Sequence, residues 1–448
     1  MIFQTQTPIV AIVGRPNVGK STLFNRFAGH RRALALDEPG ITRDRIAEEI
    51  EVSGRRLLLV DTAGLDPDAE AGLGAAIQAQ ARSAIEGADV IIFLVDGKAG
   101  LLPQDEDLAR TLRRTDKPVM LVVNKIDQPE HAPRLGEFHR LGFALTRGVS
   151  AEHGGGAWDA LEELAALLPA SPVLEAPVAG EGVRIAIVGR PNVGKSSLVN
   201  RMVGEERVVV SDVPGTTRDA IDVRVEHAGE RFLLVDTAGL RRAGRRTRSA
   251  ERGSALMTVR ALERANVAFV VVDAAEGATD QDAHVASLAL ERGCAVGVLA
   301  NKWDLVAPQG EKHVVYVLDE VRRRLRFLGD APLLTVSAKT GAGIGRIFEQ
   351  ARRLTAAGER KIGTAELNRW LAKTVALHDP AMAQRGPRRK PVKFYYATQM
   401  GTRPPTFVLF CSEPDAVQSS YRRFLENRLR EAFDLIGTPV RLRLRSRH

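Results

Sequence analysis

One octapeptide, GRPNVGKS, occurs twice in this 448-residue chain, at 14–21 and again at 189–196. Each copy follows an apolar, β-branched run (8–13 and 183–188) and precedes a helix-like segment (23–27 and 198–202). Strand, Gly-rich loop and helix in that order make a Gly-x-x-x-x-Gly-Lys-Ser pattern a phosphate site. Gly14 and Gly19 let the backbone curl so that successive N–H groups face one anion, and the helix adds the positive end of its dipole. Arg15, Pro16, Asn17 and Val18 fill the first loop; Lys20 is placed to reach the terminal phosphates and Ser21 to ligate magnesium. Gly189, Arg190, Pro191, Asn192, Val193, Gly194, Lys195 and Ser196 repeat the arrangement. A chance turn does not produce two identical octapeptides in one context.

The repeat also sets the architecture. Gly14 and Gly189, Thr42 and Thr217, and Asp61 and Asp236 are each 175 residues apart; the offset is 177 at Asn124 and Asn301, and 187 at Ser150 and Ser337. Constant spacing followed by drift describes a duplicated domain whose later loops took insertions. Strand-like runs are predicted at 45–52, 56–61, 89–95, 118–123 and 143–149, with helices near 74–86, 103–115 and 157–168. Such alternation predicts a mostly parallel sheet with helices on both faces and ligands at the carboxyl ends of its strands.

The remaining paired motifs fall at those strand ends. DEPGITRD (37–44) matches DVPGTTRD (212–219), and Thr42 or Thr217 is placed to close over magnesium and a γ-phosphate. In LLLVDTAGL and FLLVDTAGL an apolar strand delivers Asp61 or Asp236 to the sheet edge, where a carboxylate can hold magnesium through water. Thr62, Ala63, Gly64 and Leu65 continue the first motif and Thr237, Ala238, Gly239 and Leu240 the second; Gly64 and Gly239 each leave an N–H for the γ-phosphate. Asn124, Lys125, Ile126 and Asp127 match Asn301, Lys302, Trp303 and Asp304. A carboxylate there accepts from N1–H and the 2-amino group of guanine, a donor pair that adenine lacks. Ser150 with Ala151, and Ser337 with Ala338, end the last strand, where N–H groups are expected to meet the guanine oxygen.

Charge separates the last part of the chain from the rest. Of 64 basic and 55 acidic residues, 16 and 7 lie in 364–448, which leaves 48 of each elsewhere. The whole net charge of +9 therefore belongs to that segment, and an acidic polymer is its natural partner. Its pattern predicts helices over 364–377 and 414–436, a Pro/Arg-rich loop over 379–391, and strands over 392–399, 406–411 and 439–445: a small α+β domain. Tyr395 and Tyr396 lie near Arg388, Arg389 and Lys390, and the 441–447 tail is Arg-rich, the aromatic and basic mixture of RNA-binding surfaces. Cys294 and Cys411 stand far apart in apolar runs, which suits a reducing cytoplasm. No secretory signal and no apolar run of transmembrane length is seen, so a cytoplasmic protein without a membrane partner is expected.

With both octapeptides, both DTAG strands and both NKxD loops in place, the chain resembles the Der (EngA) GTPases over essentially its whole length. The resemblance implies an α/β chain of two tandem P-loop GTPase domains, 1–168 and 183–358, joined by a linker at 169–182 and followed by a KH-like domain at 364–448. It implies GTP hydrolysis to GDP and phosphate, with Lys20, Thr42, Gly64, Lys195, Thr217 and Gly239 in catalytic places. Magnesium would fall to Ser21, Thr42, Asp61, Ser196, Thr217 and Asp236. The implied partner is the large ribosomal subunit or its precursor, through rRNA, with the chain a monomer. Leu65 and Leu240 stand where Ras-type GTPases carry a water-orienting glutamine; some GTPases with a hydrophobic residue there use potassium, for which Asn17 and Asn192 are placed. Residues 364–448 hold no Gly-x-x-Gly loop, so the usual KH grip on single strands is not encoded. Two alternatives stay open: a nucleotide-gated binding protein with negligible turnover, and a related GTPase of tRNA modification or small-subunit assembly.

Overall fold

The computed structural model describes residues 7–29, 47–61, 82, 84–85, 87–127, 134–168, 182–205, 207–208, 222–237, 255–378, 382–383 and 390–446. The chain divides into two compact units, one holding the first large sheet and the other the second large sheet and a small one.

The first sheet has the order β2-β3-β1-β4-β5-β6. Its strands are β1 (Ile9–Val13), β2 (Ala47–Val52), β3 (Arg55–Asp61), β4 (Val90–Asp96), β5 (Val119–Asn124) and β6 (Leu145–Gly148). All pairs are parallel except the β2–β3 hairpin. The strands flanked on both sides read as unbroken apolar runs because helices cover both faces: IVAIV in β1 and VIIFLVD in β4 are buried throughout. The helices are α1 (Lys20–Ala28), α2 (Pro103–Leu112), α3 (Leu135–Phe138) and α4 (Ala157–Leu167). Leu23, Phe24 and Phe27 of α1 pack with Leu161 and Leu164 of α4 over Val10, Ile12, Leu57 and Leu59. Proline at its first position and Asp105 at the third start α2, where the missing N–H costs nothing and a carboxylate meets the helix dipole.

The second large sheet repeats the plan in the order β13-β12-β11-β7-β10-β9-β8. It comprises β7 (Val183–Val188), β8 (Arg207–Val208), β9 (Val223–His227), β10 (Glu230–Leu234), β11 (Val267–Asp273), β12 (Ala295–Asn301) and β13 (Leu333–Thr335). Its helices are α5 (Lys195–Glu205), α7 (Asp280–Glu291), α8 (Trp303–Val306), α9 (Glu311–Arg324) and α10 (Ile344–Glu359), while α6 (Ala255–Arg264) lies between β10 and β11 in the chain. The Phe232 and Phe348 rings meet at a 58° tilt with centroids 5.0 Å apart in this core, which also holds Phe269.

The small sheet belongs to the same unit as the second large one. After α11 (Thr364–Leu377) and a two-residue ladder of β14 (Met382–Ala383) and β15 (Lys390–Pro391) come β16 (Phe394–Gly401) and β17 (Thr406–Cys411). Then follow α12 (Ser419–Ala432) and β18 (Arg441–Ser446). Strand order is β16-β17-β18, antiparallel then parallel. Ala397, Phe407, Leu409 and Leu442 bury one face against Leu367 and Leu371 of α11 and Leu425 and Leu429 of α12. The loop before β18 closes on the second large sheet: the Val296 N–H donates to the Gly437 carbonyl at 2.7 Å. Gly437 has φ +61°, and a Cβ there would stand 2.8 Å from the Val296 oxygen, so only glycine fits.

The α/β reading holds in both large sheets, and the helix over 364–377 and strand over 406–411 match their expected limits. Several limits move by two or three residues, and two expectations shift further. The helix expected over 414–436 begins only at Ser419, because Pro414 opens a separate 3₁₀ turn and Val417 is extended; it ends at Ala432, before left-handed Asp434. The loop expected over 379–391 contains the β14–β15 ladder. Residues 169–181 of the linker expected at 169–182, and most of the helix expected near 74–86, lie outside the described residues.

Candidate functional site

Both phosphate loops are built by left-handed residues. Asn17 and Gly19 have φ of 66° and 97°, Asn192 and Gly194 of 65° and 92°, and α1 and α5 start immediately afterwards. Gly14 passes so close to β4 that a Cβ would lie 2.3 Å from the Leu94 oxygen. Lys20 is buried and its ammonium donates to the Gly14 and Arg15 carbonyls at 2.7 and 2.9 Å. Burial lowers its pKa to about 8, against the pull of Asp61, which favours the charge. Lys195 likewise donates to the Arg190 carbonyl at 2.6 Å.

Asp61 ends β3, and its Oδ2 accepts from the Ser21 hydroxyl at 2.7 Å. A hydroxyl and a carboxylate at the loop's mouth are the hard oxygen donors that magnesium prefers, so these residues fit the ion. Asp236 is placed differently: it lies beyond β10, with φ +56°, and its N–H donates to Asp222 at 3.1 Å. Buried Thr237 follows it. Thr42, Thr62, Ala63, Gly64 and Leu65, with Thr217, Ala238, Gly239 and Leu240, lie outside the described residues.

The loops expected to read the base are tied to the phosphate loops by a buried asparagine. Asn124 Nδ2 donates to the Val18 carbonyl at 2.8 Å, while its Oδ1 accepts from the Ala151 N–H at 2.9 Å. Asn301 does the same with Val193 at 2.8 Å and Ala338 at 3.0 Å. The amide is packed so closely that a Cβ on Gly19 would be 2.4 Å from Asn124 Nδ2. Next in the chain, Lys125 and Lys302 take left-handed φ of 65° and 60°, which turns the chain sharply at the strand end, two residues before Asp127 and Asp304. Asp127 accepts from the Ser150 hydroxyl at 2.7 Å and Asp304 from Ser337 at 2.6 Å. The Ser150 N–H donates to the Gly155 carbonyl within its own loop and the Ala151 N–H to Asn124 at the end of β5, so both amides expected at the guanine oxygen have protein partners here.

Two layers of support went unread in the sequence. Asp96 and Asp273, the last residues of β4 and β11, pair with Lys125 at 2.6 Å and Lys302 at 2.5 Å. Burial would raise the Asp96 pKa, but the Lys125 ammonium and the Ala99 and Lys98 amides hold it below the usual range. Behind the phosphate loops, Arg15 Nε lies 3.3 Å from buried Asp105, and Arg190 Nε lies 3.4 Å from buried Asp282, each aspartate being the third residue of its helix. Burial pushes both carboxyls up, with the arginines opposing it. The signal was available, since Asp96 and Asp273, like Asp105 and Asp282, share the 177-residue offset of the asparagines.

The small sheet carries a second candidate surface. Opposite its helix-covered face, Tyr396, Phe410 and Arg445 form one cross-strand row and Thr398, Val408 and Arg443 the next. The Tyr396 and Phe410 rings stack at 4.2 Å and 14°, and Tyr396, Arg443 and Arg445 are exposed. Arg388 and Arg389 lie outside the described residues, whereas Lys390 sits in β15.

Known families fit this geometry part by part. The 50S ribosome-binding GTPase family matches 9–125 and 184–302, and the C-terminal KH-domain-like family of EngA bacterial GTPase enzymes matches 361–445. The GTPase Der of Moorella thermoacetica is 46% identical over 435 residues, 97% of this chain and 98% of that protein. The chain belongs to the GTPase Der family. The GTPase Der of Symbiobacterium thermophilum, 47% identical, aligns with 98% of this chain and 92% of its own length, and that of Geobacter metallireducens, 45% identical, with 98% and 99%. This Der-family chain is accordingly a GTPase with two tandem G domains and a C-terminal KH-like domain. No helix among its described residues is long and apolar enough to cross a membrane.

Phosphate binding at the first site carries a pH signature. If the Lys20 ammonium grips phosphate as the sequence leads one to expect, its pKa, lowered by burial to about 8, requires that binding above that pH take a proton up. In a Lys195→Ala background, first-site GDP affinity is expected to be nearly flat from pH 7 to 8 and to weaken by up to about tenfold per unit beyond. Calorimetric titrations between pH 7 and 9 in buffers of different ionisation enthalpy measure the uptake; none at pH 8–9 would contradict a phosphate-facing Lys20.

Proposed function

We propose that this chain is a nucleotide-dependent switch, hydrolysing GTP in both G domains during assembly of the large ribosomal subunit, with rRNA as the partner of its KH-like domain. The observation that carries the reading is the pair of guanine-type carboxylates, Asp127 and Asp304, each held by a serine hydroxyl in line with a complete phosphate loop. Phosphate-loop amides and Lys20 or Lys195 hold the β- and γ-phosphates. Ser21 with Asp61, and Ser196 with Asp236, are the residues that would hold magnesium, which when bound neutralises charge between those phosphates. Thr42 and Thr217 are assigned to the γ-phosphate on sequence alone. Asp127 and Asp304 accept from guanine, and sites built on such bonds reject analogues lacking them by about four to five orders of magnitude at the upper end.

Asp127→Asn is expected to weaken GTP binding at the first site and improve xanthosine nucleotide binding there, with the second site intact. Equilibrium titration with the second site disabled checks this, and unchanged GTP affinity sinks the assignment.

Turnover without a glutamine at Leu65 or Leu240 points to a monovalent cation. Asn17 and Asn192 are exposed at left-handed turns of the phosphate loops, where a side-chain oxygen can reach an ion beside the phosphates. Potassium is expected to raise the rate of phosphate release above that in sodium, with the gain lost in an Asn17→Ala, Asn192→Ala double variant that still binds GTP. Equal rates in both salts leave these asparagines as turn formers, and negligible release in either favours a nucleotide-gated binding protein.

The rRNA reading rests on the basic segment, in which Arg443 and Arg445 flank the Tyr396–Phe410 stack. Stacked rings bind unpaired bases and arginines bind phosphates. The chain, expected to act as a monomer, should sediment with large subunits more tightly with a GTP analogue than with GDP. An Arg443→Gln, Arg445→Gln variant should weaken binding and lower the slope of log affinity against log salt by about 1–2. Unaltered affinity and slope would show these arginines to be a solvated face.

A further inference from the structure

The two base sites share the asparagine, lysine, aspartate and serine of their motifs and differ at Ile126 against Trp303; they also differ at a position that no motif contains. In the first, the Lys98 ammonium lies 2.8 Å from Asp127 Oδ2. The residue 177 positions on is Ala275, so the second site has no counterpart. Among the described residues Asp304 is paired with the Ser337 hydroxyl through Oδ1, and no cationic side chain reaches it.

Lys98 is delivered to Asp127 by its backbone. Its N–H donates to Asp96 Oδ1 at 2.9 Å, while the other oxygen of Asp96 holds Lys125. The Gly97 N–H donates to the Asn124 carbonyl at 2.8 Å, and a Cβ on Gly97 would stand 2.7 Å from Ile126 Cδ1. The turn bearing Lys98 is thus pressed against the base-reading loop, and the side chain spans a short, fixed gap. A guanine placed by Asp127 needs one carboxylate oxygen for N1–H and the other for the 2-amino group. Ser150 uses one lone-pair direction of Oδ1, as Ser337 does in the second site. The added partner is a full positive charge on Oδ2, a stronger ligand for a carboxylate than a neutral amino group.

We propose that Lys98 is an internal competitor for guanine, an affinity-setting residue that makes the first base site bind guanine nucleotides more weakly, and with a different salt response, than it would without it. The proposal rests on the guanine-reading role of Asp127. Lys98 is 55% exposed, so the competing pair is partly screened and its effect is modest.

The test uses the full chain carrying Asp304→Asn, which removes guanine binding at the second site, and a fluorescent GDP as probe. Lys98→Met keeps the apolar stem and deletes the charge. It is expected to tighten first-site GDP binding about 1.5- to 5-fold at 50 mM salt, with the gain shrinking at 500 mM as the pair in the parent is screened. Lys98→Arg should stay near the parent. In the converse background, Asp127→Asn, the substitution Ala275→Lys should weaken GDP binding at the second site by a similar factor. Equal or weaker binding by Lys98→Met at low salt overturns the proposal. Adding Asp127→Asn to the first background separates the two readings: if GDP binding survives there undiminished, the base-reading role itself is wrong, whereas its loss together with an unresponsive Lys98→Met condemns the competitor alone.

Discussion

Each G domain depends on one buried carboxamide. Asn124 and Asn301 each join three segments that are far apart in sequence: the phosphate loop through Val18 or Val193, the strand end that bears the asparagine, and the Ser-Ala turn through Ala151 or Ala338. An amide is suited to this place because it offers donor and acceptor on one rigid plane, whereas a carboxylate would only accept. Buried polar groups left without partners cost about 1–3 kcal/mol each. The three segments are therefore held together more firmly than any one of their loops would be alone. The spacing between the phosphate loop and the Asn-Lys-x-Asp loop is thereby set by the fold itself.

What the sequence made legible follows from repetition. Asn124, Lys125 and Asp127 were readable because they recur as a block, and the strand and helix alternation because buried parallel strands are unbroken apolar runs. Asp96, Asp105 and Lys98 escaped because each is a single charged residue whose partner lies elsewhere in the chain: Lys125 for the first, Arg15 for the second and Asp127 for the third. Short-range pattern carries no trace of such pairings, although a strict comparison of the two copies would have exposed the first two. The helix over 414–436 was overextended for a local reason, since Pro414 and the extended Val417 interrupt a segment whose hydrophobic spacing continues past them.

The distribution of charge gives the three sheets different physical characters. Acid and base balance in the first 363 residues, so those domains exert little long-range field, and their charges are spent on pairs such as Asp273–Lys302. The last 85 residues carry the excess, with Arg441, Arg443 and Arg445 at alternate positions along β18. Alternation in a strand puts all three on one face, away from Leu442, which joins the core. A periodicity that ordinarily serves to bury leucines here also gathers like charges into a line.

The Arg15–Asp105 pair and its copy, Arg190–Asp282, constrain how such a chain can change over time. Removing one member of a buried ion pair strands the other and costs about 3–5 kcal/mol, while replacing both with apolar residues of similar volume is often neutral. Each pair is thus a two-step lock, whose members can be exchanged together but seldom one at a time. Loops between the motifs have been free to lengthen, as the drift in spacing from 175 to 187 residues shows. The arginines of the phosphate loops are held by a partner some 90 residues away, an anchor that ties each loop to the helix behind it.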